Sequence, residues 1–341
     1  MKQISAKRYL IITAICLIVI VSVLFIYFFA DMSCTGKAEY VYIDKDDNID
    51  SVYAKLEPIS EQSSLKGFKT LARHLDYTEN IRTGRYKITP GECAVTVLKH
   101  LKSGMQSPVK LTLPSTRTVE GLSAKLSKKL MLDSAEITEA LKDSAICAKY
   151  GYDTCTVICM FVPNTYDVYW DVSLEKFLNR MKKESDAFWT FDRKRKAEKL
   201  EMTPEQVMTL ASIVDEETAN DREKPMIAGM YYNRLQKDMP LQADPTIKFA
   251  IKDFSIRRIY HKMLYTKSPY NTYKYPGLPP GPIRIPTVAG IDAVLDMTKH
   301  DYLYMCAKED FSGTHNFAET YEEHQKNAEK YTKALNKRGI K

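Results

Sequence analysis

The first pattern along the chain is an uninterrupted apolar one. Residues 9–30 carry no charged side chain, a run of 22 positions. That matches the ~20 apolar residues a membrane-spanning helix needs. Lys2, Lys7 and Arg8 precede the run and Asp31 follows it. Because positive side chains collect on the cytoplasmic side, the pattern predicts a single-pass anchor over 9–30. Residues 1–8 would lie in the cytoplasm and everything after Asp31 outside. A cleavable signal peptide has an apolar stretch of only ~7–15 residues closed by small side chains. This run is longer and ends in Phe28-Phe29-Ala30-Asp31, so the anchor is expected to stay uncleaved.

After the anchor the pattern alternates between the two periods. Glu39 to Ile43, rich in Val, Ile and Tyr, reads as a strand. Helices are predicted from about Ile49 to Leu56 and then to about His74. Thr83 to Ile88 reads as a second strand. Pro90-Gly91 leads into a helix ending near Lys102, with Gly104 as its stop. Val109 to Leu113 is a third strand. The resulting β-α-α-β-α-β module over 39–113 has no clustered carboxylates and no nucleophile, and so reads as a part that binds or positions. From 114 to 201 the pattern is a mostly helical connecting region, broken by Pro163 and Asn164 near Phe161–Tyr166. The whole is an α+β chain, with a mixed α+β domain over 202–341.

The pattern changes character beyond Thr203. Thr203 is a good N-cap, Pro204 fits the first helical position and Gln206 completes a capping box. Val207, Leu210, Ala211 and Val214 form an apolar stripe. At ~100° per residue, Glu217 falls about 60° from Val214, on one flank of that stripe. Glu216 falls opposite Val207, and Asp215 lies on the other flank, slightly further from the centre. A carboxyl held against apolar surface is desolvated, keeps its proton near neutral pH and can act as a general acid. Helical phase separates Glu217 clearly from Glu216 and only marginally from Asp215. Acidic residues at a helix C-terminus also oppose its dipole, so three in a row need a reason.

A second helix is predicted over 220–236, with Asn233-Arg234 at its end. Leu241 to Thr246 reads as a turn into a helix, Asp244 capping and Pro245 first. Residues 268–283 form a loop of aromatics, Pro and Gly. Prolines pre-set its backbone and tyrosines offer stacking faces with hydroxyl donors, a combination suited to a rigid saccharide-binding wall.

Composition adds limits. A formal charge of +7 suits an anionic polymer or lipid headgroup, and is too diffuse to indicate nucleic acid. The run Arg193 to Lys196 and the tail residues Lys333, Lys337, Arg338 and Lys341 read as solvated faces. Of seven cysteines, Cys16 lies in the apolar run. Cys147, Cys155 and Cys159 are close enough in sequence to hold one disulfide, or to be free and buried. No histidine stands near them at zinc-ligand spacing, and no cofactor or metal motif is evident.

Several segments then carry a specific resemblance. Ala211-Ser212-Ile213-Val214-Asp215-Glu216-Glu217-Thr218, Tyr232-Asn233-Arg234-Leu235, Leu241-Gln242-Ala243-Asp244-Pro245-Thr246, Tyr270-Asn271-Thr272-Tyr273 and Gly277-Leu278-Pro279-Pro280-Gly281-Pro282-Ile283 resemble, in order and spacing, the signature of the endolytic murein transglycosylases, the YceG-like family. Tyr302-Leu303-Tyr304, His315-Asn316-Phe317 and Glu323-His324 are similar to its C-terminal blocks. The resemblance is strong over 212–324 and collinear from about Glu39, where the first module is similar to the family's LysM-like domain.

The resemblance implies a lytic transglycosylase, without cofactor, that cuts the β-1,4 bond between N-acetylmuramic acid and N-acetylglucosamine in nascent peptidoglycan and leaves a 1,6-anhydro end. One glutamate serves as acid and then base, and it corresponds to Glu217. The first acidic position is Asp215 where family members often have Glu, and Asn164 stands where they often have Asp. Asn233, Gln242, Asp244, Tyr270, Asn271, Tyr273 and His315 are implied as cleft residues. The implied partners are glycan strands and the wall-synthesis machinery at the outer face of the cytoplasmic membrane. Two rivals remain: a water-using muramidase with a second carboxylate such as Asp215 or Asp244, and a non-catalytic wall-binding scaffold.

Overall fold

A computed structural model describes residues 6–256 and 258–338. Residues 1–5 of the expected cytoplasmic segment, with Lys2, and Lys341 of the basic tail lie outside the described residues. The fold is mixed α+β and divides into two units.

The first unit takes the chain up to Leu111, with Lys128–Met131 and Tyr166–Val172. It begins with helix α1 (Ala6–Phe29). The span Arg8–Phe29 is long and apolar enough to cross a membrane, with a mean hydropathy of 3.1, and the large apolar side chains from Tyr9 to Ile26 are exposed. Strand β1 (Glu39–Ile43) pairs antiparallel with β2 (Gly84–Ile88), Val41 facing Tyr86 in register. Between them run α2 (Ile49–Leu56), capped by the Asn48 side chain, and α3 (Gln62–His74). Helix α4 (Ala94–Ser103) follows and ends on Gly104 at φ 72°, the left-handed stop that its missing Cβ makes easy.

The alternation of the strands explains the packing. Val41, Ile43, Tyr86 and Ile88 point inward onto Val52, Leu56, Phe68, Val97 and Leu101, whereas Tyr40, Tyr42 and Lys87 face outward. Helix α1 packs on α3 and α4. Gly67 of α3 is required there, because a Cβ would lie 1.9 Å from the Tyr27 carbonyl oxygen. Strand β3 (Val109–Thr112) pairs with β4 (Thr165–Val168). Sequence periodicity shows only a break at 161–166. The strand forms there because Pro163 and Asn164 end just before it and its own alternation, with Tyr166 and Val168 buried, begins after them.

The second unit comprises Thr112–Ser127, Leu132–Thr165 and the chain from Ser173. Short helices α5 (Val119–Ser127), α6 (Ser134–Lys142) and α7 (Ser144–Lys149) precede α8 (Leu174–Phe188) and α9 (Phe191–Lys199). The core is built on α10 (Pro204–Glu217), flanked by α11 (Lys224–Gln236), α12 (Asp244–Ile251) and α13 (Val288–Leu295). Hairpin strands β5 (Tyr304–Ala307) and β6 (His315–Ala318) are followed by α14 (Tyr321–Lys337).

Two helix starts differ from expectation. α11 begins at Lys224 with Pro225 in its first turn, not at Asn220, because Asn220 and Thr218 use their side chains to cap turns among residues 218–222. α12 begins one residue early, so Ala243 occupies the N-cap and Asp244 the first turn. The Asp244 side chain is thereby free for other work. All seven cysteines are free, with Cys147 and Cys159 buried as small apolar side chains.

Candidate active site

Helix α10 starts as its sequence dictates. The Thr203 hydroxyl accepts from the Gln206 amide at 3.3 Å and the Gln206 side chain accepts from the Thr203 amide at 2.9 Å, a complete capping box. Val207 to Val214 are buried. This fixes the helix's phase, and so where each acid of its C-terminal trio points.

The three acids are resolved in three different ways. Asp215 is buried. It accepts the Thr287 amide at 2.5 Å and hydroxyl at 3.0 Å and meets the Lys224 ammonium at 2.7 Å. Glu216 accepts from Arg117 Nε and Nη2, at 2.7 and 2.9 Å, and from Arg284 Nη1 at 3.1 Å, so it is clamped rather than left in solvent. Glu217 has no cationic partner within ion-pair distance among the described residues. Its Oε1 accepts the Tyr231 hydroxyl at 2.7 Å. Burial, reinforced by the charge of Asp244, pushes the Glu217 carboxyl up to about 7, against the opposing pull of the Tyr231 hydroxyl, His315 and Lys248. Neutralising cations thus satisfy two of the acids, and the third keeps its proton, which relieves the conflict with the helix dipole.

Glu217 opens into a cavity of about 250 Å³ wholly within the second unit. Of the residues singled out in the sequence, Gln242, Asp244, Tyr273 and His315 line it with Glu217. The Tyr273 hydroxyl donates to Asp244 Oδ1 at 2.6 Å, and burial holds that phenol protonated far above its ordinary range. Gln242 sits at φ 53°, a left-handed conformation costly for a residue with a side chain, pinned by its amide bonding Thr272 O at 3.1 Å. His315 is fixed by Glu223, which takes its backbone amide at 2.6 Å and its Nδ1 at 3.0 Å.

Three of the singled-out residues stand elsewhere. Asn233 donates to the carbonyls of His300 and Tyr302, at 2.6 and 3.1 Å, and ties α11 to the loop before β5. Asn271 is fully buried. It bonds Leu264 O and Thr266 O and accepts from the Tyr273 amide, so it shapes the loop that delivers Tyr273. Tyr270 packs on Phe249 at 4.7 Å. The Gly-Pro stretch 277–280 lines a separate cavity of about 670 Å³ near the start of α10, so only Tyr273 of the aromatic loop reaches Glu217. A third cavity, of about 720 Å³, lies between α9, α11 and the loop after α13. Both are larger than the Glu217 cavity. The raised carboxyl of Glu217 lies in neither, and chemistry outweighs size as the criterion for a site.

Sequence reasoning missed three contributors. Tyr231 and Arg234, three apart on one face of α11, both line the cavity. Arg234 is buried and held by backbone carbonyls, donating to Leu303 O at 2.6 Å and Leu241 O at 2.8 Å. The helical spacing of Tyr231 and Arg234 was a usable signal. Glu223, which orients His315 from 92 residues away, left none.

The geometry thus places one carboxyl, raised to about 7, in a small polar cavity on an α+β domain, with a phenol on one oxygen and a second acid lining the same space. The chain belongs to the YceG-like family, which it matches over residues 41–330. It is 38% identical over 168 residues to an endolytic murein transglycosylase of Bacillus subtilis, covering 49% of this chain and 46% of that protein. It is 28% identical to an endolytic murein transglycosylase of Streptococcus pneumoniae (strain D39), covering 87% of this chain and 59% of the relative. The chain therefore spans about half the length of the curated relatives it matches. A crystal structure of a yceG-like protein from Listeria monocytogenes aligns with a TM-score of 0.53 at 26% identity, covering 86% of this chain and 99% of that one.

Proposed function

We propose that the chain is a membrane-anchored endolytic peptidoglycan lytic transglycosylase with Glu217 as its acid and then its base. The observation that carries this reading is the desolvated Glu217 carboxyl, pushed up to about 7, on the wall of a polar cavity. The relatives from Bacillus subtilis and Streptococcus pneumoniae, both endolytic murein transglycosylases, support the same reaction class. Protonated Glu217 delivers its proton to the glycosidic oxygen as the C1–O bond of the muramoyl sugar breaks. The resulting carboxylate then takes the proton of that sugar's own 6-hydroxyl as its oxygen bonds C1. This closes the 1,6-anhydro ring and returns Glu217 to its starting state. No water is consumed and no second carboxylate is required.

In this reading Tyr231 holds the carboxyl in place, and Tyr273, Asp244, Gln242, His315 and Arg234 line the sugar-binding space. The apolar helix α1 anchors the chain with the bulk of it outside the cytoplasmic membrane, beside the wall-synthesis machinery that supplies nascent strands. The first unit acts as a LysM-like module over 39–113. The catalytic domain runs over 202–341.

A second reading has one specific support, since Asp244 shares the cavity with Glu217 and a pair of carboxylates suits a hydrolytic muramidase. Mass spectrometry of uncrosslinked glycan strands digested by the wild type and by Glu217→Gln separates the readings. The transglycosylase predicts 1,6-anhydro ends from the wild type and none from the variant. Reducing ends without anhydro products would transfer the assignment to the muramidase, and anhydro products from Glu217→Gln would remove Glu217 from its role.

A further inference from the structure

The second unit carries a cationic and apolar surface that the proposed cavity does not use. Residues 254–291 contain no Asp or Glu, and residues 254–270 contain no Asn or Gln either. After α12 the chain runs out into a loop whose two ends are fixed. At one end the Phe254 ring packs on Phe249 at 6.4 Å, with the Arg117 guanidinium 5.1 Å from its centre. At the other, the Asn271 side-chain amide donates to Leu264 O and Thr266 O at 2.8 and 2.9 Å. Between these pins a single 3-10 turn, His261–Tyr265, buries none of its side chains. Tyr260 is 57% and Tyr265 66% exposed, and Ile259, Met263 and Leu264 are only half-buried. Arg258, Lys262 and Lys267 stand exposed among them. None of the three has a carboxylate within ion-pair distance among the described residues. Apolar side chains left in water beside unpaired cations mark a surface that another body covers.

We infer that this loop binds a surface of anionic lipid headgroups. A tyrosine suits such a boundary, because its ring can enter the apolar side while its hydroxyl stays among the headgroups. Ile259, Met263 and Leu264 add apolar area that the acyl boundary takes up, and the three cations meet the headgroup charge. Because both ends of the loop are already pinned, docking it orders few additional residues. An anionic wall polymer would also attract the cations, but the side chains argue against it. Sugar hydroxyls are held by Asp, Glu, Asn and Gln, whose paired donors and acceptors match them, and residues 254–270 offer none. The aliphatic side chains likewise have no counterpart on a chain of hydroxyls. Both pins also touch the Glu217 site, since Arg117 holds Glu216 and Asn271 shapes the loop that delivers Tyr273. A bilayer gripped here would therefore steady the cavity's own framework. That a bilayer lies within reach rests on the membrane anchor proposed above. The chemistry of the surface does not.

The test is amide hydrogen exchange of the full chain in lipid nanodiscs, one set made of phosphatidylglycerol and one of phosphatidylcholine. Exchange across 258–267 is expected to be about tenfold slower on phosphatidylglycerol, and the difference should shrink in high salt. Each cation near an anionic surface is worth about a fivefold change in binding. Arg258→Gln, Lys262→Gln and Lys267→Gln together should therefore abolish the difference. Tyr260→Ser combined with Tyr265→Ser should remove most of the protection on phosphatidylglycerol. Unchanged exchange along α10 checks that each variant is still folded, and each should cleave short soluble glycan fragments at the unaltered rate. Equal exchange on the two lipids would overturn the inference, as would protection that survives the triple cation variant. Protection that comes from added soluble anionic glycan and not from phosphatidylglycerol would hand the surface to the wall polymer and overturn it too. A chain that fails to join phosphatidylcholine discs, yet joins phosphatidylglycerol discs with this loop protected, would remove α1 from its anchoring role and leave this surface standing.

Discussion

Tyr231→Phe tests the acid assignment most directly. Tyr231 is 2% exposed and its hydroxyl donates to Glu217 Oε1 at 2.7 Å, so the substitution deletes one oxygen and leaves the packing almost unchanged. A hydrogen bond to an ionised group is worth about 1.5–3 kcal/mol, and one to a neutral carboxyl about half that. The difference favours the carboxylate by about 1.4 kcal/mol, which is one pKa unit. Without the phenol, Glu217 should hold its proton from about 7 to roughly 8, by that same one-unit conversion. Because the proposed reaction needs protonated Glu217 at its first step, the alkaline limb of kcat/KM for release of anhydro products should move about one unit higher. The rate on the plateau should also fall about tenfold, since the phenol fixes the carboxyl's orientation. The assay is a pH series of product release from uncrosslinked glycan. An alkaline limb that stays put, or moves to lower pH, would refute the reasoning, whatever happened to the plateau.

Three further outcomes are expected. The folded Glu217 carboxyl is raised to about 7 from an ordinary 4.5, so the folded state holds a proton that the unfolded state has released. Stability is therefore lost as pH rises through 4.5 to about 7 and stays lost above that. Glu217→Gln should accordingly raise Tm at pH 8, by up to about 3 kcal/mol in stability, and leave it unchanged at pH 4. An equal shift at both would contradict the burial argument. Asp215→Asn leaves the buried Lys224 with the exposed Asp221 and the Thr287 hydroxyl but no buried counter-charge and should cost about 3 kcal/mol in urea unfolding, whereas Asp221→Asn should cost less than about 1 kcal/mol. Gly229→Ala would place a Cβ 2.4 Å from Thr298 O and 2.8 Å from His300 Nε2. It should therefore destabilise by about 1–3 kcal/mol despite the better helix propensity, and a rise in Tm would show that the loop after α13 yields easily.

What the sequence determined by itself is local. The capping box of Thr203 and Gln206, the apolar stripe of α10, the Gly104 stop and the apolar run of α1 each depend on residues within a turn or two of one another, and all appear where their spacing puts them. The helical wheel already set Glu217 at the edge of the apolar face. It separated Glu217 from Asp215 only marginally, because both flank that face. Tertiary structure made the distinction. Lys224 and Thr287 reach Asp215, Arg117 and Arg284 reach Glu216, and Tyr231 reaches Glu217. Those partners come from 9 to 99 residues away, and no periodicity encodes such separations. The same holds for the neighbours of Glu217. Asn233 and Asn271, which the resemblance implied as cleft residues, fasten loops, because a buried amide must find its partners wherever the backbone leaves carbonyls unpaired. A residue's helical phase is a property of its neighbours in sequence, but its protonation state depends on what the rest of the chain brings against it.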